Sequence, residues 1–175
     1  RDLFFRTFSL LFSLAFATAM ATRMGEYVVG AHQVAMQLWL FSAFAMDSFA
    51  ISGQTVAGNL KGRGDWKELR VYGKLLLVWG TVAGLLFSAL LLAGHTHLAR
   101  LFTSDEKLIE LTLTLLPLLI LIQPLNGIVF VLDGILIGVL DTRFLMMQLI
   151  VAGPLVFVPI AFASYQFDWG LTGLW

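Results

Sequence analysis

Cysteine is absent from the 175 residues, so neither a disulfide framework nor a thiolate metal site can form, and the redox compartment stays open. Charge is scarce. Asp, Glu, Lys and Arg make up 13% of the chain, against about 25% in soluble domains, and 11 basic residues cancel 11 acidic ones. With no basic stripe, the electrostatic footprint of a nucleic-acid binder is missing, and the low polarity excludes a disordered chain. A basic n-region leading to a short apolar core and a small-residue cleavage site is also missing, so secretion cannot be argued. The chain opens on Arg1 and stops at Trp175 just as a new apolar stretch begins, the pattern expected of a fragment.

What fills the chain instead is apolar residues, 59% of it, with a mean hydropathy of +0.88. The few charges fall in clusters separated by apolar stretches long enough to cross a hydrocarbon core of about 30 Å. This predicts an all-α, polytopic membrane bundle. Spans are expected at about residues 3–22, 28–58, 75–94, 108–140 and 144–165, with a sixth opening at about 169. The fourth, about 50 Å of helix at 1.5 Å per residue, must tilt or kink, and Pro117 and Pro124 are the expected kink points. A kink at Pro124 would free the carbonyl of Ile120 for a ligand, ion or water. In the loops, Asp65 with Glu68, and Thr103 with Glu106, have the spacing of helix capping boxes.

If the spans alternate, one side of the membrane holds Arg1, Arg6, Lys61, Arg63, Lys67, Arg70, Lys74 and Arg143, and the other only Arg23, Arg100 and Lys107. The positive-inside rule then places the first loop and the 59–74 loop in the cytoplasm. Because there is no native cysteine, a single Cys introduced at position 62 is expected to resist an impermeant thiol reagent in intact cells. One placed between 95 and 107 is expected to react, and labelling at 62 would overturn this topology.

Two carboxylates fall well inside spans, Asp47 and Asp133. An acid at a helix centre costs about 2.5–3.5 kcal/mol in lipid, so such residues face a bundle interior or a water-filled cavity. At about 100° per residue, with Gln33 at zero, Gln37 lies near 40°, Asp47 near 320°, Ser48 near 60°, Gln54 near 300° and Thr55 near 40°. Phe44 shares this arc, whereas Ser42, about opposite, can bond to its own preceding turn. On the fourth span, with Asn126 at zero, Thr112, Gln123 and Phe130 lie within about 60° and Asp133 near 340°. Gln33, Gln37, Asp47, Gln54, Gln123, Asn126 and Asp133 are therefore the candidate substrate and cation pathway, with both acids expected to face the lobe interior. The alternative is that each stripe merely packs against a polar partner helix.

Gly80-xxx-Gly84 and Gly134-xxx-Gly138 fit close helix packing. His95 and His97 have no third ligand nearby, and no metal site is expected. Arg63-Gly-Asp65 and Gly62-Arg-Gly64 read as loop. No Ser/His/Asp arrangement or paired carboxylates with catalytic spacing are present, so the chain is not expected to be an enzyme.

At Ala31-His-Gln-Val-Ala-Met-Gln-Leu-Trp39, Ala45-Met-Asp-Ser-Phe-Ala50, Gln54-Thr-Val-Ala-Gly58 and Gly62-Arg-Gly-Asp65 the chain resembles the multidrug and toxic compound extrusion (MATE) family, closest to its DinF-like branch. Gln123-Pro-Leu-Asn126, Leu132-Asp-Gly134 and Ile137-Gly-Val-Leu-Asp-Thr-Arg143 continue the match. The resemblance implies the second half of a twelve-helix transporter, its spans seven to eleven and the start of twelve, in the bacterial inner membrane. It implies a cation-driven antiporter that exports amphipathic, often cationic, drug-like compounds from a cavity between two six-helix lobes, one of them absent here. No cofactor is implied beyond a coupling proton or sodium ion. Sodium-coupled branches are expected to carry a carboxylate where Asn126 stands, and the DinF-like expectation is proton coupling through an acid on the first helix, outside this chain. A lipid-linked oligosaccharide flippase of related architecture would need cations facing its cavity, and none of the 11 Lys and Arg lies deep in a span. A membrane-embedded enzyme or a non-transporting assembly subunit is the remaining alternative.

Overall fold

The computed structural model describes residues 2–175, without the side chain of Thr96. Arg1, counted above among the cytoplasmic charges, and Thr96, between the two outer histidines, thus fall outside the described atoms. The described chain is all-α: α1 (Asp2–Met24), α2 (Glu26–Arg63), α3 (Trp66–Phe102), α4 (Glu106–Gly138), α5 (Thr142–Ile150), a π-helical stretch (Val151–Phe157), α6 (Val158–Gln166) and α7 (Gly170–Leu174). Among the described residues five stretches are long and apolar enough to cross a membrane, the fifth running continuously through α5, the π stretch and α6.

Helix ends follow local chemistry. After α2, Gly64 adopts φ +72°, its N–H reaches the Lys61 carbonyl at 3.0 Å, and the Asp65 N–H reaches that of Leu60 at 3.0 Å, the paired bonds of a Schellman cap that favours glycine. Asp65 then caps α3 by accepting from the Glu68 N–H at 3.0 Å. At the start of α4 the expected box is shifted. Asp105, rather than Thr103, accepts from the N–H groups of Lys107 (2.9 Å) and Leu108 (3.3 Å), while Thr103 accepts from the Asp105 N–H. A carboxylate at the N-cap also complements the helix dipole.

Contacts divide the described chain into two compact units. The second comprises Leu38–Ala93 and Leu119–Thr142, and the first holds the rest, so α2, α3 and α4 each contribute to both. In the second unit, helices approach through missing side chains. A Cβ on Gly80 would lie 2.6 Å from the Gly127 carbonyl oxygen, and one on Gly84 would lie 2.6 Å from the Cα of Pro124. On the α2 side, a Cβ on Gly134 would lie 2.7 Å from the Ala50 Cα, and Gly138 abuts the Gln54 carbonyl and Ala57. Where lipid is as apolar as leucine, such backbone approach supplies the dispersion contacts that hold helices together.

Helix α4 remains helical through both prolines. The Ile120 carbonyl is taken by the Ser88 hydroxyl of α3 at 2.6 Å, so the bond expected to serve a ligand, ion or water instead ties α3 to α4. The backbone irregularity lies elsewhere. Pro154 sits inside the π stretch, where the Val158 N–H bonds back to the Gly153 carbonyl. In that five-residue pattern, the acceptor that Pro154 cannot serve is the Leu149 carbonyl, and the buried Ser9 hydroxyl of α1 donates to it at 3.4 Å. Ser13 donates to the Ser9 carbonyl at 2.9 Å, and Gly153 leaves room for Ser13. In the first unit α1 packs on the π stretch, α6 and α7.

Candidate functional site

The two polar stripes meet different fates. On α2, Ala31, Ala35, Leu38, Ser42, Met46, Ala50 and Ala57 are buried, and these small or flexible side chains define the packed side. The candidate residues fall on the other side. Gln33 and Gln37 are exposed in the first unit, and Asp47, Ser48, Gln54 and Thr55 in the second. The expectation that Asp47 faces the lobe interior is therefore corrected, because the packed side of α2 is occupied by Met46 and the alanines that α4 needs at close range. Among the described residues Asp47 makes no hydrogen bond or ion pair. Phe44 is 72% exposed and Phe41 71%, the latter edge-to-face with Phe87 at 6.3 Å. Ser52 and Thr55 spend their hydroxyls on their own helix, donating to the Ser48 and Ile51 carbonyls at 3.0 Å each. That leaves the Asp47 carboxylate, the Ser48 hydroxyl and the Gln54 amide as the chemistry offered on this part of α2, with the exposed Phe44 and Phe41 rings nearby.

On α4 the polar groups turn inward. Gln123 is fully buried, and its amide nitrogen donates to the Ser42 hydroxyl at 3.2 Å. Ser42 in turn donates to the Leu38 carbonyl at 3.1 Å, and Asn126 donates to the Gln123 carbonyl oxygen at 3.4 Å. These bonds join α2 to α4 and satisfy groups that would otherwise be costly in a dry interior. For Gln123 the packing alternative accounts for the geometry. Asp133 is half-buried in the same unit and engaged in an interaction. Thr112, buried in the first unit, donates to the Leu108 carbonyl at 2.8 Å.

Sequence reasoning passed over one polar group. His32 is 2% exposed, with Thr18 Oγ1 3.3 Å from its Nε2 and the Trp175 indole N–H donating to its Nδ1 at 3.0 Å. The available signal was a histidine at the centre of an apolar helical run, one position from Gln33. Among the described residues no three His, Cys, Asp or Glu side chains gather in a way that could hold a metal ion.

Five apolar spans, glycine-mediated helix contacts and an acid-bearing exposed helix face define a polytopic helical membrane protein with a polar surface that needs water or a partner. The MatE family model matches residues 3–163, and the chain belongs to that family. It is 30% identical over 153 residues to Protein DETOXIFICATION 42 of Arabidopsis thaliana, covering 87% of this chain and 29% of that protein. It is 25% identical over 138 residues to DNA damage-inducible protein F of Escherichia coli, covering 79% and 30%. Human Multidrug and toxin extrusion protein 1 is 23% identical over 153 residues, covering 87% and 27%. The chain thus spans less than a third of the length of each of these relatives. No solved structure matches it significantly.

Proposed function

We propose that this chain is the second lobe of a secondary active efflux antiporter of the bacterial inner membrane, which exports small amphipathic, cationic compounds in exchange for protons or sodium ions. The observation that carries this is the exposed face of α2. A carboxylate near the middle of a membrane helix, with no hydrogen bond or ion pair among the described residues, is too costly to face lipid, and aromatic side chains beside it suit an organic cation. The face is therefore assigned to a water-filled cavity completed by the lobe absent from this chain. Relatives named for detoxification and for multidrug and toxin extrusion support the same reading. The flippase alternative is disfavoured because the α2 face offers an acid and amides rather than cations to a pyrophosphate.

Alternating access needs two bundles moving about a midplane site. Co-expression of this chain with the missing half is expected to restore drug efflux, whereas this chain alone inserts and stays inactive. Ligand-dependent proton or sodium exchange by the purified chain alone, in liposomes, would replace the two-lobe reading with a homodimer.

A further inference from the structure

The ring of His32 lies in a closed sequence of hydrogen bonds whose direction can be deduced. An indole N–H only donates, so the Nδ1 that receives the Trp175 bond at 3.0 Å is an unprotonated acceptor. A neutral ring then carries its proton on Nε2 and donates it to Thr18 Oγ1 at 3.3 Å, and the Thr18 hydroxyl passes its own proton to the Leu14 carbonyl at 3.1 Å. The Trp175 ring also packs on the imidazole, with centroids 5.6 Å apart. Three helices meet here: α1 through Thr18, α2 through His32 and α7 through its C-cap Trp175, whose N–H bonds back to the Leu171 carbonyl at 3.3 Å. All belong to the first unit.

Within the first unit, the ionisable side chains on these and the neighbouring elements are Asp2, Arg6 and Arg23 on α1, Glu26 and Tyr27 on α2, Glu106, Lys107 and Glu110 on α4, Tyr165 on α6 and Asp168 before α7. Among the described residues none of them bonds or ion-pairs with the imidazole, whose polar partners are Thr18 and Trp175. The ring therefore has one open chemical change, the uptake of a proton at Nδ1. That proton occupies the position to which the indole N–H points. Two N–H groups cannot share one lone pair, so the proton and the Trp175 bond exclude each other.

We propose that His32 is a proton-binding site whose occupancy decides whether the C-terminal turn of α7, through Trp175, stays attached to α2. The step balances simply. A hydronium ion gives one proton to Nδ1 and leaves as water, the ring gains a unit charge, the Nε2–H to Thr18 persists, and the indole N–H loses its acceptor. Its place in transport rests on the antiporter reading above, in which His32 would be a second-lobe station for the coupling proton. The site itself does not rest on that reading.

The test uses the full-length protein in liposomes, with ¹⁵N-labelled histidine and 5-fluorotryptophan, the two signals assigned by loss in His32→Gln and Trp175→Phe. The neutral ring is expected to be the Nε2–H tautomer, and on acidification the His32 nitrogen and Trp175 fluorine signals should move with one shared midpoint. In Trp175→Phe the freed Nδ1 should allow the other tautomer to appear. This arm is read from the ring alone and serves if His32→Gln does not fold. An Nδ1–H tautomer in the native protein, or a Trp175 signal unmoved while His32 titrates, would overturn the proposal. Efflux is a separate arm: His32→Gln should flatten the pH profile of export, and an unchanged profile would remove His32 from the coupling path. Loss of proton-driven efflux in the native protein would instead sink the antiporter reading and leave the resonance result standing.

Discussion

Asp47→Asn in the full-length protein is expected to lower export at least tenfold while leaving expression and thermal stability unchanged. The separation of the two effects follows from the geometry. Asp47 is exposed and, among the described residues, makes no hydrogen bond or ion pair, so a near-isosteric amide removes no contact and should shift stability by no more than about 0.5 kcal/mol. On the proposed function, what it removes is the negative charge that would meet a cationic ligand, and a tenfold loss is about 1.4 kcal/mol of interaction. Ser52→Ala serves as the control, since that hydroxyl is already spent on the Ser48 carbonyl of its own helix, and is expected to export normally. Retained export by Asp47→Asn in a drug-resistance assay would return Asp47 to a packing role against the other lobe.

Gly127→Val is expected to prevent the chain from accumulating in folded form. The added Cβ would run into the Gly80 carbonyl, and the methyl groups would meet backbone rather than a movable side chain. Overpacking a core against side chains costs about 1–3 kcal/mol, and here α3 has no rotamer with which to yield. Gly62 gives the contrast: nothing lies within 4 Å of its built Cβ, and Gly62→Val should behave like the parent. Thermal unfolding in detergent, followed through tryptophan fluorescence, compares the two. A Gly127→Val midpoint within a few degrees of the parent would show that α3 and α4 do not meet along this line.

The helices were legible because each span is a long apolar run with at most two charged residues, and Gly80, Gly84, Gly134 and Gly138 were legible as close-packing positions because small residues recur one turn apart. Gly127, which completes the α3–α4 contact, has no such repeat and could be found only from the structure. The two polar stripes show a deeper limit. Hydrophobic periodicity tells a soluble helix which side is inside, but lipid and protein core are equally apolar, so a polar arc can mark either a cavity-facing or a packed face. The same pattern on α2 and α4 resolved in opposite directions, Asp47 exposed and Gln123 buried against Ser42. Proline was ambiguous for a related reason. Ser88 supplies the bond that Pro124 withholds, and α4 continues as helix, whereas Pro154 sits in a π stretch whose Leu149 carbonyl takes a bond from Ser9.

The glycine contacts also bear on what it costs in entropy to bring these helices together. Glycine has no rotamers, so bringing Gly80 and Gly84 against residues 123–127 freezes no side-chain torsion at the glycines themselves. The backbone entropy of these residues, about 1–2 kcal/mol each, has already been spent once each helix forms across the bilayer. Both the α3–α4 and the α2–α4 glycine contacts therefore close with a small side-chain entropy penalty, and the Ser42–Gln123 bond is the part of the α2–α4 joint that must order polar side chains.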